Sequence, residues 1–371
     1  MAPQPDVHNA RRAEALEPHS PNAFGLLRLV LASLVIVQHS LILTGHPAEV
    51  WIGSLELFQR ATYGDVAVAG FFAVSGYLLA GSVHRHRPTR FLRLRFFRLF
   101  PGFWVALLMV AFVVAPAIAW VADRQGSYAV VGPDSAMTYV VQNAALVIFQ
   151  PSIGTVLEGN PYPNGLDGSF WTLAPEFLCY LGLLVLAIVA ARFRARSWFL
   201  PVATAGVLWL AFVAGGVVLG ERGLVLSQVA SLGTAFFVGA SISVLGWARD
   251  MTWQRVATAG VLLALALAMG LWNPFGPILL ALSVVGLGSV IRTGPLATVG
   301  TRNDISYGVY LYHFPIIQLL VAGGLATNLP WVAGTALSVL VWASTLPVAW
   351  LSWLLVESPS QRFAHSRTRQ R

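Results

Sequence analysis

Residues 24 to 45 read FGLLRLVLASLVIVQHSLILTG, an apolar run interrupted by two ionisable side chains, Arg28 and His39. About 20 such residues wound as a helix span a ~30 Å hydrocarbon core. An arginine near the centre of a span costs roughly 2.5 to 3.5 kcal/mol, so buried ionisable groups usually face a protein interior or a wet cavity where they work. The plain alternative is an arginine snorkelling to the surface and a histidine hydrogen-bonded within a bundle. Eleven residues of helix rise ~16 Å, so Arg28 and His39 mark two depths of one pathway rather than one contact.

The rest of the chain belongs to the same class. Over 371 residues, 57% are hydrophobic and 10% are charged, and mean hydropathy is +0.70. That composition predicts an all-α, polytopic integral membrane bundle and argues against a soluble domain. Ten runs are long enough, or nearly so, to span: about 24 to 45, 64 to 83, 97 to 121, 169 to 191, 197 to 219, 224 to 246, 256 to 272, 275 to 291, 305 to 323 and 332 to 356. Residues 136 to 150 are shorter and carry Gln142 and Asn143, which predicts a re-entrant or interfacial helix. The chain divides into an N-terminal tail (1–23), a membrane domain (24–357) and a basic C-terminal tail (358–371). The N-terminal tail has no apolar core of a signal peptide, so the first span is expected to act as its own insertion signal.

All 23 positive side chains are arginine. With both termini in the cytosol, 19 of the 23 lie on the cytosolic side, while Arg60, Arg124 and Arg222 face out and Arg28 lies within a span. The net charge of +8 is thus mostly topology and offers no argument for nucleic acid. The lone cysteine, Cys179, sits in an apolar run and reads as packing.

Four local patterns can carry chemistry. Arg28 with His39 is the first. The second is GDVAVAGFFAVSGYLLAGS, residues 64 to 82, whose small residues suit either close helix packing or a substrate-lining face. The third, RHRPTRFLRLRFFRLFP (85–101), alternates arginines with aromatics, and Pro101 is read as the start of the next helix. Arginine forks suit phosphate oxygens, so Arg93, Arg95 and Arg98 point to a phosphorylated cytosolic donor. The fourth, GSFWTLAPEFLCYL (168–181), opens the fourth span from outside. Glu176 there is placed ~10 Å below the outer surface and His39 ~9 Å below it. Matched depths suggest that Glu176, or Asp65 at the mouth of the second span, supports His39 as a general base. The alternative is that Glu176 satisfies backbone freed at a kink by Pro175. His313, entering from inside, is placed ~12 Å deep and is not expected to share a site with His39. It is assigned to the donor channel. Glu357, read as the end of the last span, faces the negative end of its helix dipole and is expected to pair with Arg28 or the 85–98 arginines.

Arg28 and His39, FFAVSG (71–76), RFFRLFP (95–101), GSFWTLAPE (168–176), ISYGVYLYH (305–313) and VESP (356–359), in that order, resemble acyltransferase family 3. These integral membrane proteins O-acylate bacterial glycans, lipopolysaccharide, exopolysaccharide and, in some members, antibiotics. The resemblance implies ten spans, an acyl-CoA donor, usually acetyl-CoA, and essential roles for His39 and Arg28. It requires no metal. The expected reaction has coenzyme A phosphates at Arg93, Arg95 and Arg98, the thioester reaching His39, and a carbohydrate or glycosylated hydroxyl entering beneath residues 122 to 168. A secondary transporter or flippase of a lipid-linked sugar is the alternative class. It would use the same buried groups as a proton relay.

Overall fold

A computed structural model describes residues 22–122, 127–193, 199–217, 224–301, 303–324 and 331–366. Residues 1–21, Asp123, Arg124, Arg194, Arg196, Arg222, Arg302 and the arginines beyond Arg362 lie outside the described residues. Among the described residues the fold is all-α apart from a short antiparallel pairing, Trp51–Ile52 with Ala61–Thr62, and an isolated bridge between Gln59 and Leu271. Helix α1 is Phe24–Leu43, α2 Tyr63–Val83, α3 Pro88–Val121, α4 Ala136–Asn143, α5 Leu173–Phe193, α6 Phe199–Val217, α7 Leu224–Leu245, α8 Trp253–Ala268, α9 Trp272–Val290, α10 Ser306–Ala322, α11 Trp331–Ser352 and α12 Ser358–Ser366. Each predicted span coincides with a helix over its described residues, and 7 helices among the described residues are long and apolar enough to cross a membrane. The protein is an integral membrane bundle of about ten spans.

Helix α2 is central, packing on α7, α1 and α9, while α1 also packs on α10 and α11. The α2–α7 approach needs glycine on both sides. A Cβ on Gly76 would fall 1.9 Å from the carbonyl oxygen of Phe236, and one on Gly239 would fall 2.1 Å from that of Ala73. The small residues of α2 therefore do set close packing, and Ser75 beside them also faces a cavity.

Two boundaries differ from the expectation. The arginines of residues 90 to 98 are not in a loop. Pro88 sits in the first turn of α3, where its missing N–H is no loss, and Pro101 lies inside that helix. Winding this segment sorts its alternating pattern onto faces: Phe96 stacks on Phe100 at 4.5 Å and Phe100 meets Trp104 at 5.5 Å, while Arg95 and Arg98 point elsewhere. Nor does the last span end at Glu357. A π-turn at Trp353–Glu357 carries the helix into α12, so residues 358 to 366 are helical and pack on α3. A second π-turn, Val110–Val114, interrupts α3. Each precedes a proline by one residue, Pro359 and Pro116, and the wider turn absorbs the carbonyl that proline leaves without a donor.

Residues 136 to 150 form the eight-residue helix α4 and a tight return. Asn143 closes that return by donating to the Gln150 carbonyl at 2.7 Å and accepting from the Phe149 and Gln150 amides.

Candidate active site

Helices α1 and α10 lie side by side and run in the same direction, tied at two levels. Near their starts Arg28 Nη1 donates to Asp304 Oδ2 at 2.9 Å. Farther along, His39 Nδ1 lies 2.7 Å from His313 Nε2. The expectation that His313 is remote from His39 is therefore wrong. It took every apolar run to begin in one plane, whereas the Arg28–Asp304 bridge sets the start of α10 several residues into α1. From that level both histidines are reached within ~3 Å of rise of each other.

His313 is fully buried, and its Nδ1 lies 3.0 Å from the Val309 carbonyl oxygen, one turn back. Its ring is nearly coplanar with that of His39, at an interplanar angle of 12°, and Phe314 presents an edge to His39 at 4.9 Å. His39 is half-buried and lines a cavity of about 400 Å³ with Gln38, Gln59, Asp65, Trp171 and Gln228. This chamber is polar and aromatic. Among the described residues, no arginine lines it.

Asp65 does not touch His39. Its carboxylate accepts from the Thr62 amide at 2.9 Å and the Thr62 hydroxyl at 2.8 Å, while Thr62 accepts from the Asp65 amide, so the pair forms a capping box at the start of α2. Glu176 is not with His39 either. It accepts from Tyr180 and, at 3.5 Å, from Ser75, and it lines a second cavity of about 320 Å³ with Arg28, Arg95, Arg98 and Asp304. Glu176 and His39 do not lie at matched depths, because α5 does not begin at the end of the bundle. Residues 167 to 172 descend into the bundle first: Ser169 donates to the Tyr310 carbonyl at 3.2 Å, and a Cβ on Gly168 would strike the Phe314 ring at 2.6 Å. The kink alternative fails too, since Pro175 falls in the first turn of α5, where no intrahelical donor is lost.

The second cavity is held by a shared carboxylate. Asp304 Oδ2 accepts from Arg28 at 2.9 Å and from Arg98 at 2.8 Å, and Arg98 also reaches Glu357 at 3.6 Å. The expected pairing of Glu357 with this arginine group is thus present. Burial would raise the Asp304 carboxyl, but Arg98 and Arg28 outweigh it and hold it at about 2. Arg95 lines the same cavity, and its Nε has no hydrogen-bond partner among the described residues. Arg93 does not belong to the cavity. Its Nη2 donates to the carbonyls of Phe363 and Ala364, at 3.1 and 2.5 Å, and so pins the end of α12 to α3.

The two cavities share a wall of Val68, Thr172 and Tyr310. Thr172 and Tyr310 hydroxyls are 2.5 Å apart, and Tyr310 donates to the Ser169 carbonyl at 2.8 Å. Farther along α10, Gln318 fastens the long loop: it receives Asn160 at 2.7 Å and donates to the carbonyls of Tyr162 and Gly165 at 3.0 and 2.8 Å. Asp167, one of that loop's acids, is buried and bonded to Ser169, and burial pushes its carboxyl well above the usual carboxylate range.

Sequence reasoning missed Asp304, Gln318 and Tyr310. The first two carried a signal, as an acid at the mouth of a span and an amide within one. Tyr310 stood within ISYGVYLYH (305–313), where nothing set it apart from its neighbours.

Known proteins show the same span of likeness. The relatives include an "O-acetyl transferase" of Shigella phage Sf6, 28% identical over 357 residues, covering 91% of this chain and 96% of that protein. They also include "Nodulation protein 10" of Rhizobium leguminosarum bv. viciae, 27% identical over 380 residues, covering 94% of this chain and 96% of the relative. No solved structure matches. The family model described as "Acyltransferase domain" (Acyl_transf_3) matches residues 22–355, which takes in both cavities and every residue that lines them save Gln361. The chain belongs to acyltransferase family 3.

Proposed function

We propose that this membrane protein moves an acetyl group from acetyl-CoA to a hydroxyl of a carbohydrate or glycosylated acceptor, with His39 as general base. The observation that carries the reading is the pair of cavities on either side of Thr172 and Tyr310, an arginine-lined one and a polar, aromatic one that holds His39. Arginine forks match the phosphates of coenzyme A. Arg28 and Arg98 spend only part of their guanidinium donors on Asp304 and Glu357, so they and Arg95, whose Nε has no partner among the described residues, can all offer N–H groups to those phosphates. Amides, a carboxylate and indole faces suit a hydroxyl-rich acceptor in the other chamber. The name of the phage relative, an O-acetyl transferase, supports the acetyl group and the oxygen acceptor.

In the reaction, Nε2 of His39 takes the acceptor's hydroxyl proton as its oxygen attacks the thioester carbonyl. The carbon–sulfur bond breaks, and the imidazolium returns that proton to the departing thiolate. Enclosure keeps water from taking the acyl group. The arginine-rich end faces the cytosol of the inner membrane in this reading, so donor and acceptor approach from opposite faces.

The test is radiolabelled acetyl-CoA added to membranes containing the protein. Acceptor-dependent transfer that disappears in His39→Ala is the expected result. A transporter would leave the thioester intact, and transfer retained by His39→Ala would remove the base.

A further inference from the structure

We infer that His313 is the residue that positions His39, fixing its tautomer so that Nδ1 carries the proton and Nε2 is bare. The inference rests on the reading of His39 as general base. Bases of this kind are ordinarily oriented by a carboxylate, yet neither Asp65 nor Glu176 reaches His39. A second imidazole stands in that place.

A backbone carbonyl only accepts, so the 3.0 Å contact between His313 Nδ1 and the Val309 oxygen requires the proton on Nδ1 of His313. In a neutral ring the other nitrogen then has a lone pair and no proton. His313 Nε2, 2.7 Å from His39 Nδ1, is therefore the acceptor and His39 Nδ1 the donor. That leaves Nε2 of His39 as the unprotonated nitrogen of a histidine that lines the polar chamber. Ring rotation cannot undo the assignment cheaply. The two imidazoles are nearly coplanar and Phe314 abuts His39 edge-on, so a flip would break a hydrogen bond inside a packed cluster.

The same contact serves the protonated state. When His39 takes a proton at Nε2 it keeps the one on Nδ1, and His313 goes on accepting it while its own Nδ1–H stays on the Val309 carbonyl. No proton needs to leave the pair before the thiolate takes it back. His313 touches neither cavity, so its part is to position and not to contact substrate.

The experiment uses the full chain in lipid nanodiscs with ¹⁵N-labelled histidine, the His39 signals being assigned by their loss in His39→Gln. In the wild type, His39 should show a protonated Nδ1 and a bare Nε2. In His313→Ala the Nε2–H tautomer should appear, and kcat should fall about 10- to 100-fold, by analogy with the loss seen when the partner that orients a metal-ligating imidazole is removed, with KM for either substrate little changed. His313→Gln, whose amide oxygen can still accept from Nδ1, should keep the wild-type tautomer and recover most of kcat. A wild-type His39 protonated on Nε2 overturns the inference even if both variants misfold. So does a His313→Ala variant with an unchanged tautomer, or a His313→Gln variant no better than His313→Ala. Activity retained by His39→Ala would instead overturn the reading of the base and leave the tautomer result standing.

Discussion

The Thr172 and Tyr310 hydroxyls lie 2.5 Å apart in the wall between the arginine-lined cavity and the chamber of His39. Helix α10 supplies one half of that contact and the segment leading into α5 the other, so the partition can be thinned from either side. Tyr310→Phe removes one hydroxyl and should lower transfer only several-fold, since a neutral hydrogen bond is worth about 1 kcal/mol. Tyr310→Ala removes most of a wall and should join the cavities. The expected result is a rise in acetyl-CoA hydrolysis without acceptor relative to transfer, read by thiol release against product formation. An unchanged ratio would mean that the acyl group does not pass there.

Asp304→Asn should be among the most damaging substitutions for stability. It strips two arginines of their shared partner in a region where these side chains are 18% to 23% exposed. Breaking a buried pair costs about 3 to 5 kcal/mol, and partial solvation brings the expected loss to about 1 to 3 kcal/mol. Thermal unfolding in detergent measures it.

The acid dependence of that loss has a definite sign. The Asp304 carboxyl is held at about 2, below its ordinary value of 3.8. A depressed carboxylate contributes stability that is complete above the ordinary value and disappears as pH falls through the folded one. The difference in unfolding temperature between wild type and Asp304→Asn should be constant above about pH 5 and shrink between about pH 4 and pH 2. A difference that grew on acidification would contradict the double bridge.

Arg93 and Arg95, two residues apart, should behave differently. Arg95→Gln should raise KM for acetyl-CoA at least several-fold and leave the acceptor constant alone, with the gap to wild type narrowing as salt screens the phosphate contact. Arg93→Gln removes the donor to two carbonyls at the end of α12. Bonds from a charged donor are worth about 1.5 to 3 kcal/mol, so it should lower the unfolding temperature and change the donor constant little. Equal effects on KM would place both in one site.

The apolar runs were legible because the hydrocarbon core fixes helix length, and the two ionisable groups of α1 were legible because burying them is expensive. What could not be read was the relative height of the helices. Arg28 and His39 fall in separate cavities, as their spacing along α1 requires, but His313 and Glu176 were set at wrong levels because α10 starts deep and residues 167 to 172 dip before α5 begins. The helical phase of residues 85 to 101 was also hidden by Pro101, which reads as a helix start and lies inside one. Only winding separates Arg93 from Arg95. Glu357 was found by its charge alone, for the reason given, a dipole end, does not exist where the π-turn continues the helix.

The parallel pairing of α1 with α10 has a consequence for biogenesis. Arg28 and His39 wait for partners that lie 276 and 274 residues farther along the chain. At about 5 to 20 residues per second of synthesis, that wait lasts about 14 to 55 seconds. During it the first helix resides in the membrane with a cation and an imidazole not yet matched by Asp304 and His313. A nascent chain halted before residue 304 therefore carries its own mark of incompleteness, a polar seam that membrane chaperones and proteases can recognise and that only the arrival of α10 erases.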